Sequence, residues 1–196
     1  MNQPDLSKER PQEYDANTIF RNRWSPRAMS GEEITEDELM KLFEAAKWAP
    51  SSFNSQPWRF IYAMKNSPEW QKFYDLLVDF NKSWAQNASA LIIIASRKNF
   101  EYNEEYSKTH SFDTGAAWQN LALQASIQGL VSHGMGGFDH EEARKVANIP
   151  EGYEVEAMIA IGKPGERENL SKELQDAEQI SERKKIKEIA FRVKMQ

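Results

Sequence analysis

The sequence predicts a single domain of mixed α and β structure built in layers, and three observations carry that prediction. Apolar runs of strand length recur along the chain: WRFIYAM (58–64), ALIIIAS (90–96) and VEAMIAIG (155–162). Between them stand segments whose apolar residues return at helical spacing, so that helices and strands alternate as in α+β or α/β folds. A length of 196 residues suits one domain with ample core.

The elements follow in order. Residues 1–16 are polar and aperiodic and are expected to form a mobile leader; 17–196 are expected to form the domain. ITEDELMKLFEAAKWAP (34–50) carries a helix start, with Thr35 as N-cap, Glu38 three residues later and Ile34 placed to staple against Leu39. Leu39, Leu42, Phe43 and Ala46 share one face, and Pro50 should end the helix. WRFIYAM alternates as a strand. SPEWQKFYDLLVDF (67–80) predicts one helix with Ser67 as cap, Pro68 at its first position, and Trp70, Phe73, Tyr74, Leu77 and Phe80 on one stripe. ALIIIAS is a continuous apolar run, the pattern of a strand covered on both faces. DTGAAWQNLALQASIQGL (113–130) predicts a helix of small residues with Asp113 as N-cap and Gly129 as its stop. LVSHGMGGF (130–138) reads as a strand entering a glycine turn, DHEEARKVANIP (139–150) as a short capped helix, and VEAMIAIG as the last strand. The tail from Ser171 is strongly charged.

Composition excludes several functions. The chain has no cysteine, hence no disulfide, thiolate nucleophile or thiolate metal site, which suits a reducing compartment. A net charge of -5 argues against nonspecific nucleic-acid binding. No apolar run approaches the roughly 20 residues of a membrane span. The opening MNQPDLSKER is too polar for a secretory signal, so a soluble, cytoplasmic protein is expected. His110, His133 and His140 lack metal-ligand spacing and read as surface or turn histidines, and no metal is expected.

Three stretches invite a chemical reading. In FRNRWSPR (20–27), Arg23 and Arg27 bracket Ser25 and Pro26. Pro26 prevents a regular helix, so guanidinium forks and a hydroxyl can surround one point, as a phosphate dianion requires. Solvated surface charge is the alternative, and it is the reading preferred for Lys185 and Lys187. HGMGGF (133–138) has three glycines in four positions, either a tight turn or a place where a planar ligand meets the main chain. APSSFNSQPWRF (49–60) packs Ser51, Ser52, Asn54, Ser55 and Gln56 between two prolines, more hydrogen-bonding chemistry than a connection needs. No side chain stands out as a nucleophile or an acid–base pair, so any catalysis would belong to a bound cofactor.

Taken together, RNRWSPRAMS, ITEDELMKLFEAAKWAPSSFNSQPWRFIYA, NASALIIIAS, DTGAAWQNLALQASIQGL, HGMGGFD and IGKPGE resemble, in order and spacing, the FMN-dependent nitroreductase family. The resemblance implies a three-layer α-β-α fold with a mostly antiparallel central sheet. It also implies a domain-swapped type of homodimer with FMN at the interface, and NADH or NADPH as a transient co-substrate. By the same resemblance Arg23, Trp24 through its main chain, Ser25 and Arg27 hold the phosphate and ribityl chain. Ser51, Ser52 and Asn54 reach the flavin from the other subunit, with Gln56 and Trp58 ordering that loop. Asn81 faces the pyrimidine edge, Gly136 and Gly137 address N5 and O4 with main-chain N–H groups, and Arg183 with Lys184 closes on the phosphate. Where some members carry glutamate, Gly136 leaves backbone alone.

The function so implied is ping-pong transfer of hydride from NAD(P)H through FMN to nitroaromatic, quinone or similar small-molecule acceptors. The alternatives are a specialised flavoenzyme of the same group, such as a reductive dehalogenase, or a nonenzymatic FMN-binding protein. KNFEYNEEYSKTHSF (98–112) is the one candidate for a lid that would favour the specialised enzyme.

Overall fold

In the computed structural model, which describes residues 5–195, four strands form one antiparallel sheet: β1 (Trp58–Met64), β2 (Ala90–Arg97), β3 (Val131–Met135) and β4 (Tyr153–Gly162). Their order is β1-β2-β4-β3, which places the apolar run of β2 in the interior of the sheet. Alternation along β2 then feeds two separate cores. Leu91, Ile93 and Ala95 join Met158 and Ala160 on one face, while Ala90, Ile92 and Ile94 join Ile159 and Ile161 on the other. Full burial of each leucine, isoleucine or methionine side chain among them contributes about 1.5–3 kcal/mol.

Helices cover both faces, giving the expected three layers. On one side α2 (Glu36–Ala46) packs against α5 (His110–Ile127), burying Leu39, Leu42, Ala117 and Leu121. On the other lie α3 (Trp70–Asp75), α4 (Asp79–Ala85), α6 (His140–Val146) and α7 (Lys172–Ala177), contributing Phe73, Trp84, Ala143 and Leu174. A short α1 (Thr18–Asn22) precedes them. The Thr35/Glu38 capping box forms as its sequence predicts, and Gly129 ends α5 region by taking φ +74°. Among the described residues no helix is long and apolar enough to cross a membrane.

Three elements differ from expectation. Helix α2 stops at Ala46, four residues before Pro50, because the N–H groups of Trp48 and Ala49 turn tightly onto Ala45 and Ala46. The single helix expected over 67–80 is two. Its backbone breaks at Leu76–Val78, where Val78 N–H donates to Gly137 O (3.1 Å), Asp139 N–H donates to Leu76 O (2.9 Å), and Leu77 bridges Phe138. The break sets Phe80 outside the apolar stripe and places Asn81 beside the glycine turn. Helix α5 begins at His110 with Thr109 in the cap position, so Asp113 lies inside the helix instead of capping it.

Of the expected leader, residues 1–4 lie outside the described part. Within the remainder Leu6 and Arg10 are buried.

Candidate functional site

The basic loop that leaves α1 is fixed from three directions. Pro26 forbids further helix, and Arg23 closes α1 by donating its N–H to Ile19 O. His133 on β3 places Nδ1 3.1 Å from Pro26 O. Glu178, just past α7 and 7 % exposed, accepts the main-chain N–H groups of Arg27 (2.7 Å) and Ala28 (2.9 Å) through Oε1. Arg10 Nη1 donates to the carbonyls of Arg21 (3.0 Å) and Arg23 (2.9 Å).

Held this way, the predicted residues take distinct positions. Arg23 is half-buried and donates from Nη1 to Ser25 Oγ (3.1 Å). Arg27 Nη1 donates to Ala177 O (3.2 Å) and pairs with Glu178 Oε2 at 3.6 Å; its guanidinium carbon stands 5.7 Å from the Phe80 ring centroid. Its Nε is buried without a partner among the described residues. Arg183 is exposed and donates from Nη1 to Ser181 Oγ (2.8 Å) and Glu182 O (2.8 Å), while Lys184 is exposed and makes no ion pair among the described residues.

Arg10, Arg23 and Arg183 form a cluster of positive charge. The guanidinium pKa of Arg10 is pushed down, first by burial and then by Arg183 and Arg23; that of Arg23 is pushed down by burial and then by Arg183. Among the described residues none of the three has a carboxylate within ion-pair distance. Like charges held together without a counter-charge repel one another, and a nearby anion would relieve that repulsion.

Beside this cluster opens a cavity of about 710 Å³, lined by Arg23, Trp24, Pro26, Ser132, Gly165 and Ile180 among others. That volume lies within the range of small-molecule sites. Around the other end of the loop, Asn81 Nδ2 donates to Gly137 O (2.9 Å), leaving Oδ1 without a protein partner among the described residues. A side chain at Gly137 would meet Asn81 Nδ2 at 2.9 Å, so its glycine serves close packing. At Gly136 a Cβ would meet nothing within 4 Å, so the space over its main chain is open.

The loop 51–56 stands apart. Phe53, Asn54 and Gln56 adopt φ of 52°, 53° and 47°, the left-handed region that non-glycine residues enter at a cost of about 1–3 kcal/mol each. The strain is held by Ser51 Oγ accepting Gln56 N–H (3.0 Å) and by buried Asp113 Oδ2 accepting Ser52 N–H (3.0 Å). Asp113 therefore ties this loop to α5. Phe53, 80 % exposed, leans on Phe100 and Tyr102 at 5.7 and 6.0 Å between centroids. Buried Trp58 follows beneath. No hydrogen bond or ion pair among the described residues joins Ser51, Ser52 or Asn54 to Arg23, Ser25, Arg27, Asn81, Gly136, Gly137 or Arg183. Within one chain the predicted residues form two separate groups.

Arg10, Glu178 and His133 were not legible as site residues. The first lies in a polar segment without periodicity, and the second sits in a charged run that reads as solvated. His133 is neither a surface nor a turn residue: it lies on β3 with its ring 4.7 Å from Trp84. His110, at the first position of α5, is buried at 6 % exposure against Ser96 (2.7 Å).

Burial pushes the His133 pKa below its ordinary 6.5, against a smaller opposing effect of the Pro26 carbonyl. The unfolded chain therefore takes up a proton first as pH falls. The stability contributed by neutral His133 is fully present above about pH 6.5 and is lost as pH falls through that value toward the folded pKa. The Tm of the wild type is expected to fall more steeply from pH 7 to pH 5 than that of His133→Gln. Parallel Tm curves would contradict it.

Comparison with known proteins adds a lineage to this geometry. The model of a family described as "Nitroreductase family" matches residues 20–83 and 68–163. Protein DrgA of Synechocystis is 30% identical over 172 residues, covering 70% of this chain and 80% of its own. An oxygen-insensitive NADPH nitroreductase of Helicobacter acinonychis is 28% identical over 172 residues, covering 66% of this chain and 78% of its own. Among solved structures, one described as an oxidoreductase containing FMN is similar with a TM-score of 0.93 at 40% identity, covering 100% of this chain and 99% of its own.

Proposed function

Because this chain belongs to the nitroreductase family, we propose that it is an FMN-dependent oxidoreductase that passes hydride from NADH or NADPH to nitroaromatic, quinone or similar acceptors by ping-pong exchange. The observation that carries the reading is the guanidinium cluster of Arg10, Arg23 and Arg183, without a counter-charge among the described residues, whose member Arg23 lines a large apolar cavity.

The residues present fit a flavin mononucleotide. A phosphate dianion answers the unbalanced charge of Arg23 and Arg183, with Ser25 Oγ beside them. Arg27 keeps a place near the ribityl chain, but Glu178 balances part of its charge, so its main task is to stiffen the loop. Asn81 Oδ1 is the atom free to meet the pyrimidine edge. The open main chain at Gly136, next to Gly137, would receive N5 and O4 without a side chain intervening. Bound FMN supplies the redox chemistry, accepting hydride from the nicotinamide and yielding it to the acceptor. The chain's own part is to bind, orient and exclude water.

A homodimer completes the site in this reading, with Ser51, Ser52 and Asn54 reaching the partner's flavin. Two observations support it. In the strained 51–56 loop the side chains of Ser52 and Asn54 make no hydrogen bond among the described residues, and Ile186, Ile189, Phe191 and Val193 stand exposed on the tail, an unusual concentration of apolar surface for a lone subunit. Phe53, Phe100 and Tyr102, clustered at the loop's tip, would wall the acceptor side.

The purified protein is expected to be yellow, with the visible bands of an oxidised flavin. Anaerobic NADH or NADPH should bleach them, and a quinone or nitroaromatic should restore them. A colourless protein that ignores added FMN would sink the proposal.

A further inference from the structure

Among the described residues Arg10 is the cation with the most hydrogen bonds, although it lies outside the segments matched by the family model, which begin at residue 20. It is 8 % exposed. Its fork makes four hydrogen bonds, all to neutral oxygens: Nη1 to Arg21 O (3.0 Å) and Arg23 O (2.9 Å), Nε to Ser181 O (3.1 Å), and Nη2 to Ser181 Oγ (3.2 Å). Ser181 Oγ also accepts from Arg183 Nη1 at 2.8 Å. One buried guanidinium thus joins two segments about 160 residues apart in sequence, each of which carries an arginine of the basic cluster. A buried cation ordinarily has a carboxylate partner, because desolvation without one is costly. Arg10 has none among the described residues, and it stands close enough to Arg23 and Arg183 for their charges to oppose its own.

We propose that Arg10 is a positioning residue of the cofactor's phosphate site, clamping the Arg21–Arg23 main chain to Ser181 so that Arg23 and Arg183 converge on one phosphate. The clamp needs a planar fork with separated donors. Lysine supplies the charge but cannot reach four oxygens at once. The inference rests on the FMN reading above, and its test separates the two.

The test compares FMN with riboflavin, which lacks the phosphate, by fluorescence titration of the full chain stripped of flavin. Arg10→Ala is expected to raise the Kd for FMN about tenfold or more while moving that for riboflavin less than about twofold. Arg10→Lys should recover only part of the lost preference for FMN, and Ser181→Ala should lose part of it by uncoupling Arg10 from Arg183. If Arg10→Ala does not fold, Arg10→Lys and Ser181→Ala decide. An unchanged FMN-to-riboflavin preference in the folded variants overturns the inference, as does full rescue by lysine, which would show that charge alone suffices. A wild-type chain that does not bind FMN overturns the cofactor reading itself and this inference with it. A wild type that binds FMN, with variants of unaltered preference, overturns this inference alone.

Discussion

Arg23→Ala is expected to raise the Kd for FMN about a hundredfold, so that the variant purifies nearly colourless. Arg23 is half-buried, and among the described residues its side chain donates only to Ser25 Oγ, which leaves most of its donors for a ligand. Two charge-assisted hydrogen bonds to a phosphate, at about 1.5 kcal/mol each, sum to about 3 kcal/mol. That is roughly two decades in affinity. The fold should survive, because the Arg23 carbonyl held by Arg10 and the N–H that closes α1 belong to the main chain. Arg27 makes a poorer candidate for the same effect. Its guanidinium is already engaged by Glu178 and Ala177, and removing it would strand a buried carboxylate. Titration of the flavin-free variant with FMN, with Tm as the control for folding, checks the prediction. A variant that keeps its yellow colour and wild-type Kd would remove Arg23 from the site.

The contrast between Arg23 and Arg27 shows where sequence stops informing. RNRWSPR announces two guanidiniums around a hydroxyl, but which of them is free depends on Glu178, some 150 residues away in a run of charges that reads as solvent-facing. Local codes survived intact: the Thr35/Glu38 capping box and the stop at Gly129 depend on neighbours in the chain, and the continuous apolar run of β2 is buried on both faces. Elements whose backbone is satisfied at long range did not. The stretch 67–80 has the apolar spacing of one helix, yet it breaks because the main chain of 137–139 bonds to 76–78. Asp113 resembles an N-cap until its partner, Ser52 N–H, comes from 61 residues upstream. Of the three strained residues of the 51–56 loop, Phe53, Asn54 and Gln56, only asparagine favours the left-handed region, and only the folded backbone shows φ values near +50°.

That strain leads to the second large effect, which concerns how the site is divided between subunits. Asn54→Gly is expected to lower FMN affinity about tenfold while leaving the loop in place, because glycine adopts φ 53° without cost whereas alanine would add a backbone penalty to the lost amide. If Asn54 serves the flavin bound by the partner, each site of a dimer takes Arg23 from one chain and Asn54 from the other. Chains carrying Arg23→Ala and chains carrying Asn54→Gly can then complement. Unfolded together and refolded in equal amounts, half of their dimers pair one chain of each kind. In every such dimer one site collects both substitutions and the other collects neither, so about one quarter of all sites regain wild-type affinity. A site built within a single chain would regain none, since every Arg23 and Asn54 pair would still contain one substitution. The fraction of tight FMN sites in the mixture, measured by titration below the Kd of either variant, distinguishes a quarter from zero.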